Sequence, residues 1–93
     1  MQILWDDEKN RKLIVERGIS LDEIAGLILN NKYYAILKNP SREGQKIFVI
    51  SYRDYTHVVP FVIDANKNII LKTVFPSRKF HKIYGGKNDE NKA

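Results

Sequence analysis

Two neighbouring segments near the middle of the chain restrict its architecture more than any other feature. In Lys46–Arg53, Ile47 and Val49 project to one side of an extended backbone, while Phe48, Ile50 and Tyr52 project to the other. Val58–Ile63 is likewise apolar on both sides apart from Pro60. Strands of this kind have to be covered on both faces of their sheet. A chain of 93 residues has room for one core, so that cover comes either from the same domain or from a protein partner.

Gln2–Trp5 reads as a first strand, and Asp6 or Asp7 can accept from the free amides of a helix over Glu8–Arg17. Gly18 stands where a left-handed C-cap is expected. In Ile19-Ser20-Leu21-Asp22-Glu23-Ile24, Ser20 can cap a second helix and Glu23 can reach back to the cap amide. Ile19 and Ile24 occupy the two positions of a hydrophobic staple. Leu21, Ile24, Ala25, Ile28 and Leu29 give that helix one core face, ending at Asn30-Asn31. Strands follow over Tyr33–Lys38, Lys46–Arg53, Thr56–Ile63 and Ile69–Phe75, separated by turn clusters at 39–44 and 64–68 and a bend near Asp54-Tyr55. Pro76 stops the last strand, and Ser77 can cap a short helix over Arg78–Tyr84. The expected fold class is α+β, in the order β-α-α-β-β-β with a short C-terminal helix, an antiparallel sheet packed against two helices. Two helices shield one face. The other is covered by Phe80 and Ile83 of the C-terminal helix or reserved for a protein partner. Residues 1–84 make the domain and 85–93 a flexible polar tail.

Composition closes several routes. No apolar run approaches the ~20 residues of a membrane span, and Asp6, Asp7 and Glu8 are unlike a signal peptide's opening. A cytoplasmic protein without membrane contact is expected. The absence of cysteine excludes disulfides and thiolate sites, two histidines are too few for a metal cluster, and no cofactor is expected. The net charge of +5 is unevenly placed: residues 1–64 are balanced, whereas Lys67, Lys72, Arg78, Lys79, Lys82 and Lys87 follow with no acid among residues 65–88. Segregated positive charge attracts phosphates, acidic proteins or anionic lipid, or simply keeps a small protein dissolved.

Trp5-Asp6, Lys9, Gly18-Ile19-Ser20 and Glu23 at one end, and Pro76-Ser77-Arg78-Lys79 with Tyr84 at the other, share the order and spacing of a known family. Over roughly residues 3–84 the chain resembles the BrnT toxins. The resemblance implies the small RelE-like ribonuclease fold and the toxin role in a type II toxin–antitoxin pair. The implied activity is a metal-independent endoribonuclease that cleaves RNA and inhibits translation. The implied partner is a cognate antitoxin with a DNA-binding domain, often of ribbon-helix-helix type, through which operator DNA is reached. The family usually carries Asn, Lys and His where this chain has Leu13, Glu16 and Arg17, and Arg where it has Thr73. An acidic–basic pair of the closing helix is also missing. These departures motivate an alternative, a catalytically degenerate member acting as an antitoxin-binding transcriptional co-repressor.

Cutting RNA without metal needs a base, an acid and positive charge at the phosphorus. Arg78, following a strand end and a cap, is the first candidate for that charge, with an ordinary surface arginine as the other reading. His57 can serve as acid or base near neutral pH, or be a strand histidine with no task. Arg53 and Tyr52 end the neighbouring strand, so the three can converge, and Tyr52 either stacks on a base or simply packs. Lys72, Lys79, Lys82 and His81 are candidate RNA contacts. The pair Asp6-Asp7 resembles a metal clamp but reads better as a helix cap.

Overall fold

The computed structural model describes residues 1–85, so the expectation of a flexible tail falls, beyond Gly85, on residues outside the described ones. The fold is α+β. Strand β1 (Ile3–Leu4) is followed by helices α1 (Asp7–Arg17) and α2 (Leu21–Leu29). Strands β2 (Ala35–Lys38), β3 (Lys46–Tyr52), β4 (Tyr55–Ile63), β5 (Ile69–Leu71) and β6 (Phe75–Pro76) come next. Helix α3 (Arg78–Phe80) closes the described chain and runs on as a π-helical turn, His81–Gly85. Gly85 therefore belongs to the last helical turn rather than to a tail.

Two features of the sheet correct the sequence expectation. Five strands follow the helices, against the four segments and the β-α-α-β-β-β order expected from sequence, because the last segment is split in two, and the sheet is mixed rather than antiparallel. Its order is β1-β5-β4-β3-β2, with β6 also on β4, and β1 runs parallel to β5. The first strand pairs with residues 66 positions later, across both helices and the hairpin series. Its partner is therefore set by packing and not by chain proximity.

Local chemistry explains both main helices. Asp6 caps α1, accepting from the amides of Glu8 and Lys9, and Gly18 at φ 65° ends it in the left-handed conformation. Ser20 accepts from the Glu23 amide at 3.4 Å, but the second half of the capping box is absent. The Glu23 carboxylate turns to Tyr52 instead, and the Tyr52 hydroxyl accepts from the Ser20 amide. Asn10 ties the helices together: its carbonyl accepts from the Leu21 amide at 2.8 Å and its amide donates to Asp22 at 3.3 Å. In mid-α2, a Cβ built on Gly26 would meet nothing within 4 Å. Gly26→Ala is therefore expected to stabilise the protein by about 0.5–1 kcal/mol through helix propensity, read as a rise in denaturation midpoint.

The two-sided strands receive two unequal covers. On the helix side, Leu13, Ile19, Leu21, Ile24 and Ile28 pack on Phe48, Ile50, Tyr52, Val59, Phe61, Leu71 and Val74. On the other side, Ile47, Val49 and Val58 are covered by Tyr34, Ala35, Leu37, Phe80 and Tyr84. Ile83, expected to share that cover, is 55 % exposed, and Tyr84 takes its place. The Tyr84 ring stacks on Tyr34 with centroids 5.5 Å apart. The described residues thus cover the second face themselves.

The strand expected over Ile69–Phe75 is broken. Phe61 pairs with Leu71, yet Val58 pairs with Phe75, so three residues on one strand oppose two on the other. That is a β-bulge. Pro60 accounts for its position. Its carbonyl accepts from the Lys72 amide at 2.9 Å, so the missing proline N–H faces the same neighbour and the ladder lacks a bond there. The extra residue inverts the alternation of side chains: Leu71 and Val74 are both buried, and Phe75 is turned outward. The strand ends at Pro76, which is itself the last paired residue, opposite His57.

No helix among the described residues is long and apolar enough to cross a membrane.

Candidate phosphate-binding cleft

Helix α1 buries two residues, Asn10 and Leu13. Its other positions are mostly charged, and one face of it carries Lys9, Lys12, Leu13, Glu16 and Arg17, at i, i+3, i+4, i+7 and i+8. That face lines a cleft of about 430 Å³ whose opposite wall is the bulged segment Thr73-Val74-Phe75. A second cleft of about 440 Å³ shares Lys9, Thr73 and Phe75 with the first. It adds Arg42, Asn39, Ser41 and Gln45 from the β2–β3 connection, with Pro60 and Lys72. Together they form one trough. Lys9, Lys12, Arg17, Arg42 and Lys72 are exposed on its walls, and Glu16 is the one carboxylate among its lining residues.

None of these cations is within 4.0 Å of a carboxylate oxygen among the described residues, where the ion pair found is Arg53–Glu23 at 3.2 Å. Unpaired like charges around one concavity repel one another, and a bound polyanion relieves that repulsion. The trough also offers short polar groups, Ser41, Thr73, Asn39 and Gln45, able to bond phosphate oxygens or sugar hydroxyls.

The residues singled out from sequence divide into three places. Lys72 lines the trough. Arg78, Lys79 and Lys82 are exposed on the C-terminal helical segment and are not among the residues lining it. The Lys79 ammonium lies 5.6 Å from the Phe80 ring. Tyr52, Arg53, His57 and His81 gather at the β3–β4 hairpin end, and here the expected convergence is found. The His57 ring meets Tyr52 edge-on with centroids 5.4 Å apart, and the Arg53 guanidinium lies 5.1 Å above the Tyr52 ring.

That cluster is packed at His57 and Tyr52, while Arg53 is exposed and lines, with Tyr52, Glu23 and Lys32, a separate cleft of about 600 Å³. His57 and Tyr52 are buried, and the His57 Nδ1 donates to the Tyr55 carbonyl at 2.9 Å. His81 stacks on Tyr55 at 4.1 Å, and its Nδ1 accepts from the Thr56 amide at 3.3 Å and lies 3.0 Å from the Thr56 hydroxyl. An amide can only donate and a carbonyl can only accept. The His57 Nδ1 therefore carries a hydrogen and the His81 Nδ1 does not, each fixed by a backbone group. His81 thus closes the β4 edge beyond β6, doing with a side chain what a strand would do. Gly85 makes room for it, since a Cβ there would lie 2.6 Å from the imidazole. Tyr52 is unsuited to stacking on a base, because its ring is in the core and its hydroxyl donates to Glu23 at 2.6 Å.

The Tyr52 hydroxyl first, and then the Arg53 guanidinium, hold the Glu23 carboxyl below its ordinary value of 4.5. A lowered folded-state pKa stabilises the fold while the group is ionised. The contribution is fully present above the unfolded value and disappears as the pH falls through the lowered one. The difference in Tm between the wild type and Glu23→Gln is expected at neutral pH and should close progressively below pH 4.5. A gap that persists unchanged in acid would contradict this.

Sequence reasoning noted Lys9, Glu16, Arg17 and Thr73 without joining them, and did not single out Lys12, Arg42 or Phe75. A signal was present for the helical members, whose charges recur at helical spacing on a helix with little apolar content. None existed for Arg42 or Phe75, which reach the trough through a long connection and a bulge. Among the described residues no group of three or more His, Cys, Asp or Glu side chains is placed to hold a metal ion. Comparison with protein-family models, with curated proteins and with solved structures finds no match to this chain.

Proposed function

We propose that the protein is an RNA-cleaving toxin of a toxin–antitoxin pair, with the trough between α1 and the bulged strand as its substrate site. One observation carries this reading: five exposed cations from three separate parts of the chain line one concavity together with a single carboxylate. Phosphodiester backbones are bound through such arrays. The likeness of Trp5-Asp6, Gly18-Ile19-Ser20 and Pro76-Ser77-Arg78-Lys79 to the BrnT family, and hence to RelE-like folds, supports the reading independently. Leu13, Glu16, Arg17 and Thr73, four of the positions at which the chain departs from that family, line the trough, while the missing acidic–basic pair of the closing helix lies outside it.

The proposed chemistry uses the residues present. Glu16 takes the proton of a 2′-hydroxyl as that oxygen attacks phosphorus. The P–O5′ bond breaks, and Lys9 or Lys12 protonates the departing 5′-oxygen. Arg17 stabilises the charge on the pentavalent phosphorus. The products are a 2′,3′-cyclic phosphate and a 5′-hydroxyl. An acidic antitoxin segment lying over the same cations inhibits the enzyme. The test is purified protein with RNA in excess EDTA, followed by end-group analysis. RNA left intact, or cleavage that yields other ends, would overturn the proposal.

A second reading has its own observation. The trough holds no imidazole, because His57 is buried at the hairpin end and His81 is committed to Thr56. On this reading the chain binds an antitoxin and acts with it as a co-repressor without cutting RNA. It requires operator binding by the complex and no growth arrest when the chain is expressed alone. Arrest that is lost with Glu16→Gln would exclude it.

A further inference from the structure

Phe75 is the one aromatic ring among the exposed large apolar side chains of the described residues. It is 40 % exposed and belongs to neither apolar cluster. Its position is not a loop accident. Phe75 is paired with Val58 in the sheet, and the bulge beside Pro60 turns it outward while Val74 fills the core. It also lines both halves of the trough, with Lys9, Lys12 and Arg17 on one side and Arg42 and Lys72 on the other. A rigidly held ring flanked by cations on both sides is poorly suited to duplex, whose bases are already stacked on one another. It is well suited to an unpaired base whose neighbouring phosphates run to the two cationic walls.

We infer that Phe75 is a stacking platform and that the trough takes single-stranded nucleic acid, with one base on the ring and the backbone passing from the α1 wall to the Arg42–Lys72 wall. The inference rests on the proposed substrate site and narrows its substrate class. Stacking through a ring is tolerant of base identity, so affinity is expected to depend on strandedness more than on sequence. The cationic walls supply a term common to all polyanions, and Phe75 supplies the one that requires an accessible base.

The experiment measures fluorescence anisotropy of a labelled 2′-O-methyl oligoadenylate of twelve nucleotides, which binds but cannot be cleaved through its 2′-oxygen. Phe75→Ala is expected to weaken this complex about tenfold or more, and Phe75→Tyr to hold it within about threefold. An oligomer with abasic positions and the matching duplex should bind wild type and Phe75→Ala alike. Arg42→Ala and Lys72→Ala should weaken single-strand and duplex binding together and flatten the salt dependence. The deoxy oligomer tests whether the sugar is read, and equal binding of it leaves the class at single strands of either kind. Thermal melts accompany each variant to show that it folds. Equal single-strand affinity of Phe75→Ala and wild type would overturn the inference, as would tighter binding of duplex. Competition by polyglutamate as effective as that by the oligomer would overturn it too, assigning the trough to an acidic protein. Base-dependent binding without cleavage of ordinary RNA would keep the stacking site and remove the nuclease. Cleavage with Phe75-independent binding would do the reverse.

Discussion

Glu16→Gln is expected to slow RNA cleavage about a hundredfold or more while binding of a non-cleavable oligonucleotide is unchanged or tighter. The two effects move in opposite directions for a physical reason. Glu16 is the one carboxylate among the residues lining a trough of five cations. Its removal raises the positive potential felt by phosphate, so affinity cannot fall on electrostatic grounds. A positioned general base contributes roughly two to four decades of rate, and glutamine cannot take a proton. Glu16 lies one helical turn beyond Lys12 on a helix held at its start by the Asp6 cap and in its middle by buried Leu13. The carboxylate is therefore carried on fixed backbone. Single-turnover cleavage measured beside anisotropy separates the two quantities. Arg78→Ala in the same assay tests the assignment read from sequence, and a loss there comparable to that of Glu16→Gln would move the chemistry to the C-terminal segment. Cleavage undiminished in Glu16→Gln would show that the base lies elsewhere.

Phe48→Ala is expected to cost about 3–5 kcal/mol, the range for truncating a buried phenylalanine. Phe48 is 2 % exposed and stacks on Phe61 with centroids 4.3 Å apart, while Tyr33 meets it at 5.2 Å. It joins β3 to β4 and, through Tyr33, to the segment that leads out of α2. A void there cannot be filled by one neighbour moving, because its neighbours are held by the sheet ladders on either side. A domain of this size has roughly 5–15 kcal/mol in all. The loss should lower Tm by on the order of 20 °C. Calorimetry or thermal circular dichroism gives the answer, and a drop of a few degrees would mean that the site collapses more easily than the ladders suggest.

The reach of the sequence is clearest at the helix ends. Asp6, Gly18 and Ser20 act as caps through contacts within a few residues, so their roles follow from composition and spacing alone. The strands were legible in the same way, since period and turn residues are local signals. The two-sided apolar pattern of Lys46–Arg53 and Val58–Ile63 required a second cover, and Phe80 on the C-terminal segment provides part of it.

What the sequence left open depends on contacts between distant residues. Glu23 fits a capping box, but a tyrosine and an arginine about thirty residues later compete for its carboxylate and win. His57, a candidate acid or base, and His81, a candidate RNA contact, prove to be held by backbone groups of the hairpin end, the Tyr55 carbonyl and the Thr56 amide. The excess of positive charge in the last quarter suggested a site there. The trough instead draws four of its five cations from the charge-balanced part of the chain, with Lys72 added from the last quarter. Helical spacing, cap identity and strand alternation are set within a few residues and are written in the sequence itself. The side on which Phe75 emerges, and which charges share one concavity, depend on a bulge and on strand pairings that arise when the tertiary structure forms.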